Sequence, residues 1–161
     1  MAEVQNSKLL QTGIRNMKDA CIILVKTEWN TAIVDELEKG CLEELGKHGI
    51  KKIKTVTVPG AVEIPFAVSA YSRSKKKADA FITLGCVIKG DTPHFDYVCN
   101  TVTNGVLQLN LELKVPVIFG VLTVNNEEQA KERTGGKHGH KGVEAAITAL
   151  KMIQLNRSLK K

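Results

Sequence analysis

His94 follows Thr92-Pro93, the order in which a chain leaves a loop and opens a helix. The free N–H groups and positive dipole end of a helix N-terminus disfavour imidazolium. His94 therefore reads as a neutral imidazole able to take a proton and return it. Asp91 and Thr92 beside it suit a cap, and the same free amides suit an anion. Taken alone, Thr92-Pro93-His94-Phe95 reads more simply as a surface histidine near a cap. Trp29 is the sole tryptophan and falls in a loop rather than on a helical stripe. A flat indole there can stack on a planar heterocycle, or it can plug a sheet edge. Pro59-Gly60-Ala61-Val62-Glu63 offers a glycine at which backbone approaches a ligand closely, with amides that can read ring carbonyls. Arg133 precedes Thr134-Gly135-Gly136-Lys137-His138-Gly139-His140-Lys141-Gly142, where cations among glycines suit a phosphate. His138-x-His140 has no adjoining carboxylate or cysteine, so no metal site is expected there.

These residues need elements to hold them. Cys21–Val25 is a continuous apolar run, as in a strand covered on both faces. Asn30 is placed to cap a helix whose apolar residues Ile33, Leu37, Cys41 and Leu45 recur every four positions up to Gly49. Residues 53–58 read as a second strand, and Pro65 opens a helix running into Ser74-Lys75-Lys76-Lys77. A third strand covers Ala80–Ile88. The helix begun at Thr92-Pro93 carries Val98, Val102, Val106, Leu109 and Leu113 and is stopped by Pro116. A fourth strand covers Val117–Leu122, and residues 126–134 read as a short helix. The last helix places Val143, Ala146, Ile147, Leu150 and Ile153 on one face.

Four alternations of strand and helix with short loops predict right-handed βαβ units. The expected fold is α/β: a three-layer sandwich with a four-stranded parallel sheet, flavodoxin-like. Ligands of such sheets bind beyond the carboxyl ends of the strands, and the unusual residues cluster after each strand. Residues 1–15 are expected to form an N-terminal arm and 16–161 a single domain.

Composition narrows the field. The 161 residues are 43% hydrophobic and 25% charged, a globular balance. Lys and Arg (23) outnumber Asp and Glu (17), and the pI near 9.2 favours anionic ligands. With one Trp, two Tyr and four Phe and scattered lysines, nucleic acid is not expected as a partner. No apolar run approaches the roughly 18 residues of a membrane span, and no secretory signal is visible. Cys21, Cys41, Cys86 and Cys99 form no CxxC and read as reduced thiols of a cytoplasmic protein. Gly85-x4-Gly90-Asp91-Thr92 lacks the lysine of a phosphate-binding P-loop.

Four stretches in register resemble one family. They are Val58-Pro59-Gly60-Ala61-x-Glu63-Ile64-Pro65, Gly85-x-Val87-Ile88-x-Gly90-x-Thr92-Pro93-His94-Phe95-Asp96-Tyr97, Phe119-Gly120-Val121-Leu122-Thr123 and Lys141-Gly142-Val143-Glu144-Ala145-Ala146. In order and spacing, from about Gly13 to Met152, the chain is similar to the 6,7-dimethyl-8-ribityllumazine synthase family. The resemblance implies the penultimate step of riboflavin biosynthesis. In it 5-amino-6-ribitylamino-2,4(1H,3H)-pyrimidinedione condenses with 3,4-dihydroxy-2-butanone 4-phosphate, releasing phosphate and water, without metal or organic cofactor.

The resemblance also implies residue roles. Trp29 matches the ring-stacking aromatic, Ala61, Val62 and Glu63 the segment holding pyrimidine and ribityl chain, and Cys86, Val87 and Ile88 the strand end lining the pocket. Asp91 and Thr92 match the turn holding the butanone phosphate, and His94 the proton-transfer residue. Phe119 matches an aromatic supplied by an adjacent subunit, Arg133 the phosphate-binding arginine, and Lys141 a lysine near the site. Members form homopentamers with active sites between subunits, and some assemble twelve pentamers into a 60-subunit icosahedral shell. Riboflavin synthase is then a candidate partner.

The chain departs from the commonest family pattern at four positions. Trp29 stands where many members have Phe, Glu28 where a basic or small residue is usual, Lys89 for Arg and His140 for Asn. The competing reading is a flavodoxin-like flavin-binding or carrier protein, which would use the same loops and Trp29 but would have no need of His94.

Overall fold

Strand β1 (Cys21–Thr27) carries Ile22, Ile23, Leu24 and Val25 in succession, and all four are fully buried. Their side chains alternate between the two sheet faces, so both faces must be covered by helices. The computed structural model, which describes residues 13–74 and 76–160, supplies that cover. β1 lies between β2 (Lys52–Val58) and β3 (Ala80–Ile88), and β4 (Val117–Val124) completes a parallel sheet in the order β2-β1-β3-β4. This is the α/β sandwich expected from the alternation.

Helices α1 (Thr31–Lys47) and α5 (Lys141–Leu159) cover one face. Leu37, Cys41 and Leu45 of α1 and Ala146, Leu150 and Ile153 of α5 share a core with Ile22, Leu24 and Ile82. Helices α2 (Ile64–Arg73) and α3 (His94–Glu112) cover the other. There Ile64, Val68, Val102 and Val106 pack on Ile23, Val25 and Phe81. Burial of this kind contributes about 25 cal/mol per Å² of apolar surface and is the main force holding the layers together. A short helix α4 (Glu127–Lys131) follows β4. The glycine-rich connection then forms a two-stranded antiparallel hairpin, β5 (Thr134–Gly136) and β6 (Gly139–His140).

Several expectations need adjusting. Asn30 is not a side-chain cap. It lies at φ 59°, ψ 41°, its carbonyl accepts from Ile33 and Val34, and its side chain is engaged elsewhere. The helix expected over 126–134 is confined to five residues, because the Asn126 side chain caps Gln129 N–H and the chain then turns into β5. The glycine-rich segment, to which its sequence pattern assigns no element, pairs in part as the hairpin. Val143 is only partly buried, and Gly142, Ala145 and Ala149 take the tightest positions of α5 instead. A Cβ at Gly142 would overlap the Leu37 carbonyl, so this glycine sets the close approach of α5 to α1. β2 is an edge strand and mostly exposed, which is why its periodicity is weak.

Of the arm expected over residues 1–15, residues 1–12 lie outside the described residues. Gly13 and Arg15 are fastened to α5: the Gln154 side chain accepts from Arg15 N–H at 2.9 Å and donates to Gly13 O at 3.1 Å. No helix among the described residues is long and apolar enough to cross a membrane.

Candidate functional site

β1, β2 and β3 are parallel, so their carboxyl ends open onto one rim, and each supplies part of a cleft of about 560 Å³. After β1 come Trp29 and Asn30. After β2, Gly60 leads into a single 3₁₀ turn (Ala61–Glu63) that runs on into α2, with Pro65 in its first turn, where no N–H is needed. The end of β3 provides Cys86, Val87 and Ile88, and the first turn of α3 provides His94, with Val98 beneath it.

The floor is apolar and the rim is polar. Cys86 and Ala61 are buried, whereas Trp29 is 73% exposed and stands as a free-sided wall. Burial pushes the Cys86 thiol up to about 11, so it stays protonated and acts as packing surface rather than as a nucleophile. Gly60 has an extended backbone and matters through space: a Cβ there would lie 3.1 Å from Glu63 Oε2 and 3.3 Å from Trp29 Cδ1. Its bareness lets indole and carboxylate converge over the same backbone. A planar heterocycle can therefore lie against the indole while Glu63 and the amides of the 3₁₀ turn meet its polar edge.

Asp91 and Thr92 lie in the exposed turn just before α3, beside the cleft rather than in its lining. Thr92 Oγ1 accepts from His94 N–H at 3.4 Å, so the turn fixes where the histidine leaves the loop. Within one chain the remaining residues lie elsewhere. Phe119 and Lys141 line a second cleft, of about 490 Å³, along β4 and α5. Lys141 Nζ holds both Glu144 carboxylate oxygens at 2.8 Å. Arg133 lines neither cleft. Its guanidinium donates to the Gln129 carbonyl at 2.9 Å, and its own carbonyl accepts from Lys141 N–H at 2.8 Å, which ties it to the second cleft's rim.

Reasoning from sequence missed Glu144, although its spacing of three from Lys141 on one helix face is an ion-pair signal. It also missed the part played by Asn30, which donates Nδ2–H to the Cys86 carbonyl at 2.8 Å. His138 and His140 do not converge. The first faces Glu132 at 3.6 Å, and the second packs on Gly40, where a Cβ would strike its ring.

An open parallel sheet layered by helices, with a cleft and one imidazole beyond its carboxyl edge, defines a flavodoxin-like α/β protein. Residues 19–157 match the family profile of 6,7-dimethyl-8-ribityllumazine synthase. Three curated relatives carry that same name. The protein of Porphyromonas gingivalis is 51% identical over 142 residues, 87% of this chain and 88% of its own length. That of Bacteroides fragilis is 51% identical over 140 residues, 86% of this chain and 97% of its own. That of Cytophaga hutchinsonii is 49% identical over 142 residues, 87% and 89% of the two lengths. The chain belongs to the 6,7-dimethyl-8-ribityllumazine synthase family.

Proposed function

We propose that the Trp29–His94 cleft is where this chain binds the pyrimidine substrate of its reaction and carries out the accompanying proton transfers. The chain is a transferase of riboflavin biosynthesis that forms 6,7-dimethyl-8-ribityllumazine from two small molecules. The observation that carries the reading is the convergence of Trp29, Glu63, Cys86–Ile88 and His94 from four separate segments on one cleft.

The roles follow from position and chemistry. Trp29 stacks on the pyrimidinedione, and Ala61, Val62 and Glu63 hold its polar edge and the ribityl chain. Cys86, Val87 and Ile88 form the apolar floor. Condensation of an amine with a ketone, loss of phosphate and ring closure are a series of proton transfers between reactive partners. Positioning combined with one imidazole at the cleft mouth serves them. Asp91 and Thr92 hold the butanone phosphate beside His94. The cation that stabilises charge growing on the leaving phosphate is Arg133, with Lys141 close by, both supplied by a neighbouring copy together with Phe119. Exposed apolar residues on α2 and α3, the helices whose first turns adjoin the cleft, support such a neighbour: Phe66 is 71% and Tyr97 69% exposed. With the family resemblance, which implies a homopentamer with sites between subunits, we read the assembly as that pentamer. Sedimentation distinguishes it from a 60-subunit shell, with which riboflavin synthase would be the partner. The four free cysteines support a cytoplasmic location.

Mixing both substrates and following lumazine absorbance and fluorescence tests the reading. His94→Ala should slow formation by about tenfold to a thousandfold, as expected when a positioned proton carrier is removed. Unchanged turnover in that variant would remove His94 from the mechanism. A flavin carrier of the same fold would bind riboflavin without producing lumazine.

A further inference from the structure

The loop carrying Trp29 is held on its two sides by different kinds of bond. Toward β2 the hold is made by backbone: Glu28 N–H donates to Val58 O at 2.9 Å and Trp29 N–H to Pro59 O at 3.2 Å. Toward β3 the parallel ladder has already ended, its last pair being Lys26 opposite Leu84. Cys86 lies two residues farther on, and the ladder no longer reaches its carbonyl from the β1 side. Asn30 fills that place, its Nδ2–H standing in for the missing strand donor at 2.8 Å.

The backbone at Asn30 makes this reach possible. Its φ of 59° is the only positive value at a non-glycine residue among those described. Most L-residues are strained by roughly 1–2 kcal/mol in this left-handed region, and Asn is one of the few that visit it routinely. The same turn directs the Asn30 carbonyl into α1, where it accepts from Ile33 and Val34 at 3.0 and 3.1 Å. One residue thus starts a helix with its carbonyl and joins two strand tips with its amide. Those tips carry the indole on one side and Cys86, Val87 and Ile88 on the other, the wall and the floor of the cleft.

We propose that Asn30 is a positioning residue for the lumazine-forming reaction: its bridge to the Cys86 carbonyl sets the gap between Trp29 and the β3 tip before the pyrimidine arrives. The proposal rests on the reading of this cleft as the pyrimidine site. Asn30 donates no proton to the reaction. A preset gap spares the substrate the cost of ordering the loop, so the residue acts on binding of one substrate.

Two variants separate the side chain from the backbone. Asn30→Gly keeps the left-handed turn and removes the donor. Asn30→Asp keeps the shape and turns the donor into a carboxylate facing a carbonyl. Both should raise KM for the pyrimidinedione by about tenfold, the worth of one well-made hydrogen bond, and leave KM for the butanone phosphate and kcat within about threefold. Trp29 is the sole tryptophan, so its fluorescence anisotropy in the free protein reports the loop directly and should fall in both variants. Unchanged anisotropy with unchanged KM in both variants overturns the proposal, and so does an equal loss for both substrates. Trp29→Ala run in parallel keeps the underlying reading separate: if it leaves KM for the pyrimidinedione untouched, the cleft assignment itself fails.

Discussion

The two clefts of this chain are complementary in what they lack. The one at the carboxyl rim has an aromatic wall, an apolar floor, a carboxylate and an imidazole, and no Lys or Arg among its described lining residues. The one along β4 has Phe119 and the Lys141–Glu144 pair, with Arg133 hydrogen-bonded by backbone to its rim. A flat neutral heterocycle suits the first, and a phosphate suits the region of the second. The reaction needs both at once. On the proposed reading these are two half-sites on different parts of one chain's surface, and a neighbouring copy is what would join them.

The largest effect expected from separating the halves is on the cation. Arg133→Ala should raise KM for the butanone phosphate by about tenfold to a hundredfold, the worth of a charge-assisted contact to phosphate, while KM for the pyrimidinedione holds. Equal changes for both substrates would mean that Arg133 acts on folding rather than on phosphate.

A smaller effect belongs to the aromatic wall. An indole offers more stacking area than a phenyl ring, so Trp29→Phe should weaken riboflavin binding severalfold, as judged by titrating flavin fluorescence. Equal affinity in the two proteins would show that ring size at this position does not matter.

The smallest lies on the hairpin beside the second cleft. His140 rests against Gly40, and its Nδ1 is buried with no hydrogen-bond partner. Burial pulls its pKa below the ordinary 6.5, against the opposing pull of Glu36, Glu43 and Glu144. The unfolded chain therefore takes up the proton more readily than the folded one. Stability contributed by neutral His140 is present above pH 6.5 and declines as the pH falls below it. Replacing it, as in His140→Asn, should flatten the fall of Tm between neutral pH and pH 5.5. An unchanged slope would place the acid sensitivity elsewhere.

Much of the first cleft was legible in the sequence, and little of the second was. Runs such as Cys21–Val25 and Ala80–Ile88 are apolar on both faces, and that pattern fits a covered parallel strand. Once four strands alternate with helices, the carboxyl rim follows, and with it the grouping of Trp29, Glu63, Cys86 and His94. Asn30 was misread because capping Asn and left-handed Asn look alike in sequence, and only a carbonyl contributed from 56 positions away distinguishes them. The hairpin at 134–140 was hidden because glycine-rich segments carry no periodicity. Phe119 and Arg133 carry no intrachain signal of being shared, since the spacing within one chain does not encode contacts with another copy. The role of Phe119 came from family resemblance alone, whereas Arg133 was legible from its glycine-rich surroundings only as a cation suited to phosphate.

Mixing two crippled proteins tests the shared site most directly. His94→Ala and Arg133→Ala, unfolded together, refolded at equal amounts and assayed with butanone phosphate well below its wild-type KM, should recover about a quarter of wild-type turnover, because random assembly pairs an intact His94 half with an intact Arg133 half at that frequency. Activity no greater than the sum of the separately refolded variants would contradict the account, because it would mean that each chain completes its own site.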